Sequence, residues 1–395
     1  MGLRPFLDLF KRYKVLTVVL AALVVVGLGC WVYQLIVGLS ATGMNNGTSW
    51  GLYIISFMFF VGLSVGSLAV ASVAYVFKVD RLKTIALPAV IISTVCIGAA
   101  GLFVLVDLGS IHRVWRMIIG ANIVSPLVWD MCVITLCLIV DVLFLVYLIK
   151  GNERKTSIIA RIALPCALLV ITVDAWLFGL QIAKEGWYSA VLAPIFVASA
   201  LDSGIALLLL ALSALKKAGI YDIPQGLTAL LAAALCVCIS IDAFFILCEL
   251  VTMAYPGTLG GEVVLAGIMT GSNAPFFWFE IIGGLIVPFC ILVFAKNRQN
   301  SKLVIFSCVL VFVGVICKRI WLMLNAFVVP NIMGAPGIIW GSSAATEATG
   351  VNSFAVVSSY MPSAAELLVC AGLVSLAILA FMALASKFLG KQHTN

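Results

Sequence analysis

Long apolar runs separated by short polar segments dominate the chain from end to end. A bilayer core about 30 Å thick requires ~20 apolar residues in a helix. Runs of that length span 15–37, 51–77, 85–108, 127–149, 158–182, 190–214, 228–253, 274–295, 303–328 and 364–386. Because backbone polar groups in lipid must be satisfied within the segment, each run predicts a transmembrane helix, and the strand alternation of an outer-membrane barrel is absent.

The first run follows a short basic segment, which raises the question of a signal peptide. Its length exceeds that of a typical signal-peptide core, and no small-residue cleavage site follows it. We therefore expect residues 15–37 to be a retained first span.

The composition agrees with a membrane protein. Of 395 residues, 64% are hydrophobic and 10% are charged, and the mean hydropathy is +1.23. Soluble proteins carry about 25% charged residues. This excludes a soluble enzyme, a disordered chain and a nucleic-acid-binding domain, and it predicts an all-α polytopic membrane protein with ten spans.

The basic residues are distributed very unequally between the two sides of the membrane. Arg113, Arg116 and Lys184 fall in loops on one side, and Lys318 and Arg319 lie inside the ninth run. All other Lys and Arg residues fall on the opposite side. The positive-inside rule then places both termini in the cytoplasm.

The loops on the outer side are the long ones, at 38–50, 109–126, 254–273 and 329–363. They are rich in Gly, Ser, Thr, Pro, Asn and aromatic residues, whereas the cytoplasmic loops are short and basic. We expect a partner protein to dock on the outer side, although the loops could simply cover the helix ends.

The residues that usually hold a cofactor are scarce. His112 and His393 are the only two histidines, which argues strongly against a haem held by two helix histidines. The twelve cysteines lack iron–sulfur and zinc spacings, and no nucleotide-binding glycine pattern occurs. The sequence predicts no haem, iron–sulfur cluster, metal or nucleotide in this chain.

Ionisable residues inside the apolar runs are unusually frequent, and such residues are costly in lipid and are usually functional. With a rise of about 1.5 Å per helical residue, Asp202 lies at mid-membrane, Asp141 lies inward, and the others extend towards the outer face. The set comprises Asp107, Asp130, Asp141, Asp174, Asp202, Asp242, Glu249, Glu280, Lys318, Arg319 and Glu366. In a structural interpretation, Lys318 and Arg319 neutralise Asp242 or Glu280. In a functional interpretation, this series of ionisable residues transfers protons.

A short internal similarity relates two runs. VGLSVGSLAV in span 2 aligns with ASALDSGIALL in span 6, four spans later, so that Ser64 matches Asp202 and Gly66 matches Gly204. This predicts a first four-helix bundle of spans 2–5 (51–182) and a second of spans 6–9 (190–328). Spans 1 and 10 would flank them, with a long outer loop at 329–363 and the last span and tail at 364–395.

Four segments taken together resemble the NrfD/PsrC-type membrane subunits of polysulfide reductase-like complexes. They are WGLYIISFMFFVGLSVGS, VDLGSIHRVW, GLQIAKEGWYSAVLAPIFVASALDSGIAL and MPSAAELLVCAG. The resemblance implies a multi-pass protein of the bacterial cytoplasmic membrane that exchanges electrons with menaquinone or ubiquinone near the outer face. It also implies a ferredoxin-like four-cluster iron–sulfur subunit docked there, and a molybdopterin or multihaem catalytic subunit.

One departure from the family pattern affects the expected site. The polysulfide reductase subunit has a His and an Asn on the helix that matches span 2, whereas this chain has LYIISFMFF. We expect a quinone slot among spans 2–5, with Asp107 or Asp174 accepting a proton and His112 or Arg113 polarising a carbonyl. Its predicted residues are Tyr53, Phe57, Phe60, Asp107, His112, Arg113, Asp174 and Trp176.

The predicted proton-transfer residues form a second set, namely Asp130, Asp141, Asp202, Asp242, Glu249, Glu280, Lys318 and Arg319. A secondary transporter remains the alternative, since transporters also combine repeats, midplane charges and proline breaks such as Pro165, Pro194 and Pro288.

Overall fold

Ten long helices form the molecule in the part of the chain that the structure describes, which comprises residues 10, 12–45, 47–224, 226–328 and 360–389 of a computed structural model. We number them as spans 1 to 10. Their bounds are Lys14–Val37, Leu52–Val76, Asp80–Asp107, Pro126–Ile149, Glu153–Gly179, Leu192–Lys217, Leu227–Ala254, Ala274–Leu292, Ser301–Asn325 and Ala364–Phe388. Each is long and apolar enough to cross a membrane, which confirms the predicted fold class. We keep the name outer side for the end of the molecule where the loop between spans 1 and 2 lies.

The predicted helix starts have recognisable local causes. Asn152 and Asn300 accept hydrogen bonds from the backbone amides of Lys155 and Lys302, and so cap spans 5 and 9. Span 4 begins with Pro126, whose missing N–H would be unsatisfied at that position in any case. These caps fix where each chain segment enters its helix.

Span 2 is the central helix. It is buried along almost its whole length and packs against spans 3, 5, 6 and 9. Span 1 is exposed over most of its surface and packs mainly against span 10. Because the exposed side chains of span 1 are apolar, the bilayer is their natural surroundings.

Spans 2 and 6 cross at the two glycines that the internal similarity aligns. A Cβ atom on Gly66 would overlap the Ala200 carbonyl, and one on Gly204 would overlap the Gly66 backbone. Small residues allow transmembrane helices to approach closely and gain van der Waals contact. The two helices that the internal similarity relates therefore meet at the residues that it aligns.

Span 8 contains an irregular segment that carries one of the candidate proton-transfer residues. Residues Phe279–Ile286 form a π-helix, which carries Glu280 near its start. A π-helical turn inserts extra backbone and changes the direction of following side chains, and it is frequent at functional sites. Within this segment, Gly284 packs closely against Gly314 of span 9.

The helix contacts join spans 2 to 5 to one another and spans 6 to 9 to one another. Span 2 also packs extensively on span 6, so the division into two bundles stays a prediction. Within the predicted outer loop 329–363 the structure describes only residues 360–363, and the end of the predicted tail, 390–395, lies outside the described residues.

We expect Gly66→Ala to destabilise the protein by about 1–3 kcal/mol, because its methyl group would be forced into the backbone of span 6. Thermal unfolding in detergent should show a lower melting temperature. Gly98→Ala is the matched control, since no atom lies within 4 Å of a Cβ atom there. Equal melting temperatures for the two variants would contradict this account of the crossing.

Candidate functional site

A buried hydrogen-bonded cluster lies at the outer ends of spans 1, 2 and 3. The Tyr53 hydroxyl donates to Gln34 Oε1 at 2.6 Å, and Gln34 Nε2 donates to the carbonyl of Val106 at 3.1 Å. Tyr53 and Gln34 are completely buried. Asp107 follows Val106 at the end of span 3, and its charge acts on Tyr53. The cluster thus combines a phenol, an amide and a carboxyl group.

An apolar cavity of about 260 Å³ opens between spans 1, 3 and 10 and is lined by Trp31, Val106 and other side chains. Trp31 lies one helical turn from Gln34 on span 1. Its indole N–H and Asp107 Oδ1 are buried and have no hydrogen-bond partner among the described residues. Trp31 therefore gives the cavity an unused donor, and Asp107, which follows the cavity-lining residue Val106, has an unused acceptor oxygen. That combination suits an apolar molecule with a polar ring.

The structure separates the predicted slot residues. Phe57 and Phe60 are buried along the helix that carries Tyr53. Trp176 is 40% exposed and lies on the surface of the helix assembly rather than in its interior. His112 and Arg113 are exposed in the loop after span 3, where Arg113 Nε donates to His112 Nε2 at 3.3 Å. Tyr53 and Asp107 are thus the predicted slot residues that lie near each other, next to Val106, which lines the cavity between spans 1, 3 and 10.

Asp174 belongs to a second buried cluster, formed with Arg319. Arg319 Nη2 donates to Ser199 Oγ at 2.9 Å, and its guanidinium carbon lies 3.8 Å from the centre of the Phe196 ring. The charges of Asp174 and Arg319 interact. Both Asp174 oxygens, with Arg319 Nε and Nη1, have no hydrogen-bond partner within the described part of the chain. Water between the two groups would satisfy them.

Asp130 extends this second cluster towards the outer face. It is buried near the start of span 4, close enough to Asp174 for the two carboxyl groups to interact electrostatically. The three groups thus follow one another outwards on spans 9, 5 and 4. Glu249 lies apart, near the outer end of span 7, and accepts a hydrogen bond from Ser189 at 2.6 Å.

A third cluster occupies the middle of the second predicted bundle. Lys318 Nζ donates to Asp242 Oδ2 and lies 3.0 Å from Glu280 Oε1. The indole N–H of Trp321 donates to Glu280 Oε2, and Asp202 lies close enough to Asp242 and Lys318 to interact with them electrostatically. Lys318 is therefore the cation that pairs with both Asp242 and Glu280, whereas Arg319 donates to Ser199 and interacts with Asp174.

The first predicted bundle has a smaller polar cluster at the corresponding place. Ser93 Oγ donates to Asp141 Oδ2 at 2.5 Å and lies 2.9 Å from Ser64 Oγ. Ser64 is the residue that aligns with Asp202 in the internal similarity. Each predicted bundle therefore has a buried polar cluster that includes the position aligned by the internal similarity, which is a serine in the first and an aspartate in the second.

Two residues of the outer cluster were missed by the sequence reasoning. Gln34 and Trp31 lie on span 1, which was expected only to flank the bundles. A signal for Gln34 was available, because it is a lone amide in an otherwise apolar span. Trp31 resembled a membrane-interface tryptophan, and only the packing of span 10 shows that it lines a cavity.

We expect Lys318→Ala to cost about 3–5 kcal/mol, because it leaves Asp242 and Glu280 buried without their cation. The loss should appear as a lower melting temperature in detergent. The triple variant Lys318→Met, Asp242→Asn and Glu280→Gln should recover most of it. Lys217→Ala, at the exposed end of span 6, is the control. A triple variant as unstable as the single one would refute a charge-pairing explanation.

Comparison with known proteins identifies relatives of nearly the same length. The chain is 31% identical over 388 residues to a protein of Halobacterium salinarum described as a membrane subunit of dimethyl sulfoxide reductase, covering 92% of this chain and 88% of that protein. It is 25% identical to a subunit of the selenate reductase of Mesobacillus selenatarsenatis, covering 93% and 92%. It is 26% identical to the Hdr-like menaquinol oxidoreductase integral membrane subunit of Archaeoglobus fulgidus, covering 94% and 92%.

The family model described as "Polysulphide reductase, NrfD" matches residues 40–331. The match begins in the loop before span 2 and ends just beyond span 9, so it includes both halves of the internal repeat. By this match and by its relatives, the chain belongs to the NrfD (polysulphide reductase) family of integral membrane proteins.

Proposed function

We propose that this protein is the quinone-reactive membrane subunit of a respiratory oxidoreductase complex. The observation that carries the proposal is the buried Tyr53–Gln34 pair beside Asp107, next to an apolar cavity near the outer end of the spans. The relative from Archaeoglobus fulgidus is named as a menaquinol oxidoreductase subunit, which supports a menaquinol-like substrate. The NrfD relatives named as oxidoreductase subunits favour this function over secondary transport.

The chemistry of the cluster suits a quinol substrate. A quinone has two ring carbonyls that accept hydrogen bonds, and the corresponding quinol hydroxyls must lose protons when it is oxidised. The unused indole N–H of Trp31 would donate to a carbonyl, and the unused oxygen of Asp107 would accept a proton. The isoprenoid tail would lie along the apolar residues of spans 1, 3 and 10.

This proposal moves the expected slot from spans 2–5 to the junction of spans 1, 2, 3 and 10. Tyr53 and Asp107 keep their proposed roles, and Gln34 and Trp31 join them. Contacts of His112, Arg113 and Trp176 with the quinone ring stay predictions. All three side chains are exposed on the surface of the protein.

Proton transfer is proposed for the two clusters of the membrane interior. The Lys318 cluster and the Asp174–Arg319 pair are joined through adjacent residues of span 9, and Asp130 continues towards the outer face. Water beside the unpaired Asp174 oxygens would connect this carboxyl group to the Arg319 guanidinium by hydrogen bonds. Asp141, Asp202 and Glu249 stay predicted members of the set.

The partner subunits are proposed from the chemistry and from the relatives. Electrons leave the quinol in the membrane, and an iron–sulfur subunit with ferredoxin-like clusters would accept them on the outer face. A molybdopterin or multihaem subunit would then use them, so this chain is the quinol-oxidising rather than the substrate-reducing subunit. The relatives' names as subunits of reductase complexes support such an assembly.

We expect Asp107→Asn to slow quinol oxidation at least ~10²-fold, because a positioned base contributes about that much. Tyr53→Phe should slow it about 3–10-fold, through loss of one buried hydrogen bond. Wild-type activity should fall with decreasing pH as Asp107 becomes protonated, and Asp107→Asn should lack this dependence. The measurement is quinol oxidation by membranes containing the assembled complex.

Asp80→Asn is the control for these variants, because this exposed carboxyl lies on the opposite, cytoplasmic side and pairs only with Lys83 in the described residues. Its quinol oxidation should equal that of the wild type. Full turnover in Asp107→Asn with normal assembly would remove Asp107 from the mechanism.

The distribution of basic residues predicts that both termini lie in the cytoplasm. An epitope tag at the C-terminus should therefore be inaccessible to antibody in intact spheroplasts. The same tag between residues 254 and 259, in an outer loop, should be accessible. The reverse pattern would overturn the proposed orientation and place the Tyr53 cluster at the cytoplasmic face.

A further inference from the structure

Glu366, at the start of span 10, holds together three outer segments of the chain. Its buried carboxylate accepts hydrogen bonds from the backbone amides of Gly43 at 2.8 Å and Ser363 at 3.1 Å. It also accepts one from the Tyr360 hydroxyl at 2.7 Å. A helix cap needs only the hydrogen bond from Ser363. The bond from Gly43 therefore holds the loop between spans 1 and 2, and the bond from Tyr360 holds the segment before span 10.

Tyr360 connects this carboxylate to span 2. Its hydroxyl accepts a hydrogen bond from the backbone amide of Leu52 at 2.7 Å, and Leu52 is the first residue of that helix. A Cβ atom on Gly51 would overlap the Tyr360 ring, which shows how closely the two segments pack. Burial and the neighbouring Glu366 raise the pKa of Tyr360, so its hydroxyl keeps the proton that it donates.

Glu366 and Tyr360 bind the connection between spans 1 and 2 at two places, one within the loop and one at its end. The loop 38–51 joins span 1, which carries Gln34, to span 2, which carries Tyr53. Glu366 binds this loop at Gly43, and Tyr360 binds its end at Leu52, directly before Tyr53. The hydrogen bond between Tyr53 and Gln34 therefore bridges the ends of a loop that is held from outside.

We propose that Glu366 and Tyr360 form a latch that positions Tyr53 against Gln34 and the quinone ring. This inference rests on the proposed function of the Tyr53 cluster. Neither latch residue is a catalytic residue, because both act through the backbone of the loop and of span 2. Loosening the latch would let span 2 shift at its outer end, and ring binding would weaken because the Tyr53 hydroxyl would lose its fixed place.

The test is a double-mutant cycle on the full-length chain in detergent, with menadione, a tail-less menaquinone analogue, as the probe. Its dissociation constant follows from quenching of tryptophan fluorescence. Tyr360→Phe and Glu366→Gln should each weaken menadione binding about 3–10-fold, as expected for loss of buried hydrogen bonds. Tyr53→Phe should weaken it by a similar factor.

The cycle separates positioning from general stability. In the Tyr53→Phe background, each latch variant should change the dissociation constant less than twofold, because the group that the latch positions is already gone. Tyr188→Phe is the matched control, since this tyrosine is exposed in another outer loop and should leave binding unchanged. Melting temperatures of all variants show whether the protein remains folded.

Three outcomes would overturn the inference. Latch variants that bind menadione normally, while Tyr53→Phe binds weakly, would refute the latch and leave the proposed site intact. Latch variants that weaken binding equally in both backgrounds would show a general structural role. Normal binding by Tyr53→Phe would overturn the proposed quinone site and the latch with it.

Discussion

A bilayer cannot solvate polar groups, and this constraint accounts for most of the structure. Each backbone segment is helical because its amides and carbonyls have no other partners in lipid. The two buried cations of span 9 likewise interact with groups on neighbouring helices. Lys318 meets Asp242 and Glu280 from two different spans, and Arg319 meets Ser199 and Asp174 from two others. The charged groups therefore connect the helices as well as forming the candidate proton-transfer set.

Close helix approach makes those charged contacts possible. The crossing at Gly66 and Gly204 brings spans 2 and 6 into direct backbone contact. The Ser64 cluster and the Asp202 cluster then flank this crossing, one in each half. Span 2 has a serine where span 6 has an aspartate, so the two aligned helices differ in the chemistry of this position.

The proposed quinone site lies away from this centre, where spans 1 and 10 lean against spans 2 and 3. Its polar groups come from three helices, and its apolar cavity comes from the packing of span 10. The outer segments around Glu366 hold the same helices at their ends. A site built at helix ends is accessible to a partner on the outer face, while its cavity extends into the apolar interior where a lipid-soluble substrate diffuses.

The sequence alone determined the ten helices and the ionisable residues that lie at each level along them. These properties are local, because hydropathy and a rise of about 1.5 Å per residue need no knowledge of neighbouring helices. The tertiary structure alone decided which face each helix turns inward. It paired Lys318 rather than Arg319 with Glu280, and it left Trp176 on the protein surface. It also brought Gln34 of the first span to Tyr53, and Trp31 of the same span to the cavity. Helix rotation and partner choice depend on the contacts of many residues at once, and no local pattern records them.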